Sequence, residues 1–483
     1  MKQSSLKINM ILNTIRGVLG IVFPLISFPY VSRILGAENL GKYDFANSIV
    51  SYFVLLSALG IYSYTVREGA RFRNDKKQIK RFADEIFTIN IVATVVAYIL
   101  LFLVVLIVNK LHDYNSLIFV LSFQIIFKTI GVEWIYTIYE DFLYITLRSI
   151  IIQIASLILM FAFINTKDDY ILYAGIVTLA SGGSSIFNYL HVKKYLKINF
   201  TKSLNLKKHL NPILLIFATS IAITVYVSSD TTILGFMCDD ETVGIYSVSV
   251  KIYNIVKTIL ISILSVTIPR LAFYLGNDNI HKFTETVNNL FKTLISLVMP
   301  AVIGIYILSS EIVLIVAGEE YLQAVSSLKL LSIALVFCLF SWIWGQCVLM
   351  TLKKEKVLFY ATAISAIVNV LMNFLFIPLW NENAAAITTI IAEGVCLLIN
   401  VWYGRKYVKI EKLAGITIKV CLGCLMICLI TFVLRLLEWS HWLLFVIADV
   451  FLSVVVYSGI EIILKNECFF ETFNQLKNKI YRK

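Results

Sequence analysis

Four ionisable side chains stand inside apolar stretches of the first 150 residues: Arg16, Lys128, Glu133 and Arg148. A charge at the centre of a bilayer costs about 2.5–3.5 kcal/mol on insertion scales, so such residues survive where they face protein or water. Two guanidiniums and an ammonium set against one carboxylate leave positive charge to spare. A guanidinium presents a planar fork of donors that fits a phosphate, whereas a lysine supplies a point charge. The chemistry open to these residue types is anion binding by Arg16, Lys128 and Arg148. Glu133 is either a polar member of that site or one end of a structural salt bridge between adjacent helices.

A second set follows later in the chain. Ser247, Lys251, Asn254 and Thr258 are spaced +4, +3 and +4, which places one polar stripe on an otherwise apolar helix. Such a stripe in lipid lines a wet cavity or hydrogen-bonds a neighbouring helix. Lys251 is read as a further cavity cation and Asn254 as a polar liner. Glu393 falls about 14 Å along its helix at 1.5 Å per residue, near the midplane. There it has two options, pairing with Lys251 or holding a coupling cation. Asp230 is the remaining in-membrane acid of this set. Lys292, Lys329, Lys419, Arg435 and Glu461 lie within about two turns of a helix end, where long side chains snorkel to the interface. Pro24 and Pro29 interrupt the first apolar run; proline frees backbone carbonyls and lets a helix bend, which suits a gate or a static kink. Trp134 is suited to stacking on a sugar face or to anchoring at the membrane interface.

The elements that must position these residues are membrane helices. The 483 residues are 59% hydrophobic and 15% charged, with a mean hydropathy of +0.84, against about 25% charged in a soluble domain. Apolar runs of the roughly 20 residues that a crossing needs recur from end to end, whereas a membrane β-barrel would show short alternating segments. The fold class is therefore an all-α polytopic membrane protein. Fourteen spans are read: 11–34, 43–64, 86–108, 116–137, 142–164, 170–192, 212–236, 243–268, 286–308, 323–350, 357–379, 384–403, 413–436 and 441–464. No cleavable signal peptide is evident, and the first span reads as an uncleaved signal. Cys421, Cys424 and Cys428 fall in a membrane helix with no nearby histidine and read as apolar filler, so no metal or cofactor is expected. Along straight spans Lys128 falls about 18 Å from the outer surface and Arg148 about 9 Å from the inner one. Glu133 falls one and a half turns beyond Lys128, in one layer with Arg16 and Arg148.

Lys and Arg set the orientation. With the N-terminus inside, 29 of the 42 basic residues fall in cytoplasmic segments and 4 outside, which favours both termini in the cytoplasm. The excess of +12 is thus a topology signal with an attraction to anionic lipid, and nucleic acid is excluded as a partner. An internal echo joins "ILGAENLGKYDF" (34–45) to "ILGFMCDDETVGIYS" (233–247). The copies lie six spans apart and so keep one orientation, as parallel repeats about an axis along the membrane normal do. The expected organisation is a six-helix lobe over 1–193, a basic linker over 194–211, a second lobe over 212–404, a helix pair over 405–464 and a cytoplasmic tail over 465–483, with a central cavity between the lobes.

The run "NTIRGVLGIVFPLISFPYVSRILGAENLGKYDFANSIVSYFVLLSALGIYSYTVREGARFRND" and the later "GEEYLQAVSSLKLLSIA" (318–334) resemble the Wzx-type polysaccharide flippases of the multidrug/oligosaccharidyl-lipid/polysaccharide (MOP) exporter superfamily. The resemblance implies a MATE-like fold that translocates undecaprenyl-diphosphate-linked oligosaccharide units across the bacterial inner membrane by alternating access. The units would feed O-antigen, capsule or exopolysaccharide. Arg16 matches the position of first-helix arginines that serve the diphosphate in related lipid II flippases, and spans 13 and 14 would line a groove for the lipid tail. It further implies membrane lipids, a polysaccharide polymerase and chain-length machinery as partners, with Na⁺ or H⁺ as the coupling ion. A cation-coupled multidrug exporter would be expected to carry acids in the first-lobe cavity, and a lipid II flippase would share the anion-binding chemistry. A membrane polymerase or ligase would carry a large external loop. No G-x-x-x-x-G-K-[ST] phosphate loop is present, which removes an ATP-driven pump for this chain alone.

Overall fold

The computed structural model describes residues 6–202, 205–411, 413–437, 439 and 441–466; the expected tail lies outside them from residue 467 on. Every regular element among the described residues is helical. In chain order the first are α1 (Leu6–Ala58), α2 (Ile61–Gly69), α3 (Lys76–Ile107), α4 (Asn115–Ile130), α5 (Glu133–Ile138), α6 (Phe142–Phe163), α7 (Tyr170–Thr178), α8 (Ser184–His191) and α9 (Leu206–Met237). They are followed by α10 (Asp240–Ser265), α11 (Ile268–Gly276), α12 (Ile280–Ile307), α13 (Ser309–Val316), α14 (Ala324–Trp342), α15 (Glu355–Gly404), α16 (Leu413–Arg435) and α17 (Trp442–Ile463). Large apolar side chains stand exposed on their outer faces, among them Phe102 at 63%, Ile158 at 62% and Phe451 at 66%. Water would not tolerate a surface of this kind. Lipid does, and a helix satisfies every backbone group internally there. The protein is a multi-pass membrane protein.

Twelve helical segments among the described residues are long and apolar enough to cross a bilayer, against the fourteen read from the sequence. Two of them, Arg16–Phe72 with 57 residues and Glu355–Gly404 with 50, are more than twice the length of one crossing at about 20 residues. Each is broken internally. In α1 the departure from helical geometry is Gly36, at φ 74° and ψ 172°; in α15 it is Trp380 and Asn381, the latter at φ 46°. Pro24 and Pro29 both lie inside α1. The Pro29 carbonyl accepts a hydrogen bond from Arg33 Nη1 at 2.5 Å. The non-helical residue of α1 is therefore the glycine at the end of the I-L-G motif.

Two compact units divide inside α10, after Ser247. The first carries α9 with it, one span later than the expected lobe boundary, because α9 packs along α1 and against α2. Inside this unit the two copies of the repeat meet. A Cβ added to Gly41 would lie 1.7 Å from the Asp240 carbonyl oxygen, and one added to Gly244 would lie 1.9 Å from the Ala37 carbonyl oxygen. Ala37 precedes Gly41 by four residues, as Asp240 precedes Gly244. The contact is reciprocal, as at a two-fold interface. Tyr114 Oη donates to Asp240 Oδ1 at 2.6 Å, and Lys110 Nζ to the Cys238 carbonyl at 3.2 Å. A buried apolar cluster that includes Tyr64, Phe82, Trp134 and Ile213 ties α2, α3, α5 and the start of α9 together. In the second unit α14 packs on α15, α12 on α14 and α16, and α16 on α17.

Candidate functional site

A cavity of about 770 Å³ opens within the first unit, and Arg16, Lys128, Glu133 and Arg148 all line it. They arrive on four elements, α1, α4, α5 and α6. Arg16 Nη2 donates to Glu133 Oε1 at 2.6 Å, and Arg148 Nη2 stands 3.5 Å from the same oxygen. One carboxylate therefore serves two guanidiniums. Arg148 is 8% exposed and Arg16 35%. Arg148 Nη1 also donates to Asn188 Oδ1, and its Nε has no hydrogen-bond partner among the described residues. Lys128 is exposed and makes no ion pair with a described residue. The described lining thus holds three cations and one carboxylate.

Glu133 does not sit where a straight helix would carry it. The helix ends at Ile130, Val132 adopts φ 35° and ψ 35°, and α5 restarts at Glu133 itself. The cause is a close approach of α8. Asn188 Nδ2 donates to the Gly131 carbonyl at 2.7 Å, and a Cβ on Gly131 would stand 2.7 Å from Ser185 Oγ. A break in the ladder is tolerated at membrane depth where other groups take up the freed carbonyl. The sixth expected span is also irregular. Between α7 and α8 the backbone widens into a π-turn over Leu179–Gly183, a feature frequent at functional sites. A Cβ on Gly182 would fall 2.5 Å from the Phe127 ring. The small residues Ala180, Ser181, Ser184 and Ser185 form this wall.

Sequence reasoning missed the uncharged part of the site. Asn47, Gln124, Gln153 and Asn188 line the cavity, with Gln124 Nε2 donating to Asn47 Oδ1 at 3.1 Å. Each is a lone neutral residue in an apolar run; the usable signal was "ASGGSS" (180–185), one turn before Asn188. Asn188 matters most. It is 1% exposed, binds Arg148 and Gly131 with its amide, and accepts from Tyr136 Oη at 2.7 Å with its own carbonyl. Leaving a buried donor or acceptor unmatched costs about 1–3 kcal/mol. Asn188→Leu is therefore expected to lower stability by about 3 kcal/mol, read as a fall in the thermal unfolding midpoint of the purified protein.

Four other expected site residues lie away from this cavity. Asp230, on α9, is buried and accepts from Tyr246 Oη at 2.9 Å. Lys251 and Asn254 are on α10 in the second unit, where the Asn254 carbonyl accepts from Thr258 Oγ1 at 2.7 Å. Glu393, on α15 and also buried, accepts from Tyr253 Oη at 3.3 Å and interacts electrostatically with Lys257. Trp134 is 4% exposed and packs edge-on to Phe82 at 6.3 Å, so it is a wall of the cavity rather than an interface anchor. Glu461 does not snorkel; it is 0% exposed.

Residues 6–274 match the model of the family described as polysaccharide biosynthesis protein, and residues 216–375 match that of the MatE family. The chain is 25% identical over 382 residues to a putative O-antigen transporter of Escherichia coli K12, with 78% of this chain and 91% of that protein covered. It is 26% identical over 243 residues to the probable low-salt glycan biosynthesis flippase Agl15 of Haloferax volcanii, half of each chain being covered. Its fold is similar to that of the lipid II flippase MurJ in an inward closed conformation, with a TM-score of 0.77 at 15% identity over 95% of this chain and 99% of that one. It is also similar to an inward-facing MATE family multidrug resistance transporter of the MOP superfamily, with a TM-score of 0.63 at 16% identity over 81% of this chain and 94% of that one.

Proposed function

This chain belongs to the polysaccharide biosynthesis protein family, as a MOP-superfamily flippase rather than an enzyme, and from that premise we propose that it translocates a polyprenyl-diphosphate-linked oligosaccharide across the bacterial cytoplasmic membrane. The observation that carries the reading is the cavity of the first unit, whose described lining holds three cations to one carboxylate, with two of them, Arg16 and Arg148, at Glu133, and a wall of neutral polar and small side chains. Guanidinium forks suit a diphosphate. Amides and hydroxyls suit the hydroxyls of sugars. The passenger's charge is met by Arg16, Arg148 and Lys128, and its lipid stays in the bilayer. The same excess of cations disfavours a cationic drug.

In this reading the long helices α1 and α15 each cross twice, which gives fourteen crossings with both termini cytoplasmic, as the distribution of Lys and Arg favours. Lys251, Asn254, Glu393 and Asp230 serve the second half of the transport cycle, Glu393 and Asp230 as the acids nearest to an ion-coupling role. Pro24 and Pro29 soften the first crossing of α1 for gating. A polymerase and chain-length machinery are the downstream partners, acting on O-antigen, capsule or exopolysaccharide units.

The test is transport in vesicles of defined lipid. Purified protein is expected to move a fluorescent short-chain polyprenyl diphosphate disaccharide between leaflets and to leave a cationic dye unmoved. Movement of the dye alone would replace this reading with drug export.

A further inference from the structure

The last helix pair carries a polar seam that the cavity does not use. Asp449, Ser453, Tyr457 and Glu461 follow one another at four-residue steps on α17, so they share one face, and they are 1%, 8%, 5% and 0% exposed. That face packs on α16. Thr431 Oγ1 donates to Asp449 Oδ1 at 2.8 Å. Gly423 lets the helices close: a Cβ there would lie 2.7 Å from the Tyr457 ring and 3.1 Å from Glu461 Oε1. Tyr457 Oη donates to the Ser296 carbonyl of α12 at 2.8 Å, and Asn466 Nδ2 donates to Glu461 Oε2 at 2.5 Å.

Two polar atoms of the seam, Glu461 Oε1 and Ser453 Oγ, are buried with no hydrogen-bond partner among the described residues. Nor does either acid make an ion pair with a described residue. The charges that act on Asp449 are Arg435 and Glu311, and those two are bound to each other at 2.9 Å. The cation that acts on Glu461 is Lys419, which donates to the Lys465 carbonyl at 3.1 Å. A carboxylate anion buried in apolar surroundings without a cation is strongly disfavoured, whereas a neutral carboxylic acid needs only its hydrogen bonds.

We propose that Asp449 and Glu461 are proton-binding sites, about 18 Å apart along α17 at 1.5 Å per residue, with Ser453 and Tyr457 between them. Each carboxyl holds its proton while the helix pair is closed as seen here and exchanges it when water reaches the seam. This makes H⁺, rather than Na⁺, the ion to which the pair responds. The inference depends on the packing of α16 and α17 and stands whatever the passenger is.

The experiment is infrared spectroscopy of the full-length protein in lipid nanodiscs, reading the carbonyl stretch of protonated carboxylic acids. The wild type is expected to show two such bands at neutral pH that fade on alkaline titration, with Asp449→Asn removing one and Glu461→Gln the other. If either substitution leaves the spectrum unchanged, that residue is not a proton site. Should a variant fail to reach the membrane, Thr431→Val and Asn466→Ala decide, because each removes the donor to one carboxyl and should shift that band alone. An unshifted band in either overturns the assignment of its carboxyl.

Discussion

Replacing Arg16 and Arg148 together by alanine is expected to abolish surface polysaccharide in cells that rely on this protein for export, with the amount of protein in the membrane unchanged. The two guanidiniums share Glu133 Oε1 at 2.6 and 3.5 Å. Removing both converts a lining of three cations and one carboxylate into one of a lysine and a carboxylate. A hydrogen bond to a charged group contributes about 1.5–3 kcal/mol, and 1.4 kcal/mol is tenfold in affinity. Two lost contacts therefore weaken anion capture by about a hundredfold to ten-thousandfold. Lysine at both positions restores charge without the fork and should recover only part of the activity. Complementation with an immunoblot of the membrane fraction reads the result, and normal export by the double variant would remove the cationic site from the account.

The second large effect concerns Gly41 and Gly244. In a helix interior, glycine to alanine usually stabilises by about 1 kcal/mol, and Gly394→Ala, with nothing within 4 Å of the added carbon, should behave that way. Gly41→Ala and Gly244→Ala should do the reverse. Their Cβ atoms would fall 1.7 and 1.9 Å from backbone carbonyl oxygens. No rotamer change relieves a clash with backbone, so the helices must part. Overpacking costs about 1–3 kcal/mol and occasionally more. Each variant is expected at the upper end of that range. The double variant should cost less than the sum of the two, because one separation relieves both clashes. Thermal unfolding of the three variants beside Gly394→Ala provides the comparison. A Gly41→Ala protein as stable as wild type would deny the reciprocal contact.

The membrane class and the helical fold were legible because they follow from bulk composition and from apolar runs of the right length. The charged members of the cavity were legible for a related reason: Arg16, Lys128, Glu133 and Arg148 are costly in lipid, so their presence alone asks for an explanation. The break at Gly131–Val132 was not legible, since it depends on Asn188 arriving from α8 to take the Gly131 carbonyl, a contact made across 57 residues. Neutral liners such as Gln124 and Gln153 carry no comparable cost and leave no comparable mark. Glu461 was misjudged because nearness to a helix end in sequence says nothing about which neighbour covers it. Here Gly423 brings α16 close enough to bury it completely.

The claim on which the rest depends is that the cavity of the first unit takes a diphosphate, and equilibrium binding of a short-chain prenyl diphosphate to the purified protein in nanodiscs tests it most directly. Saturable binding is expected in the wild type, at least a hundredfold weaker in the Arg16→Ala/Arg148→Ala variant, with the corresponding prenyl alcohol bound equally weakly by both. Equal affinity of the two proteins for the diphosphate would contradict it.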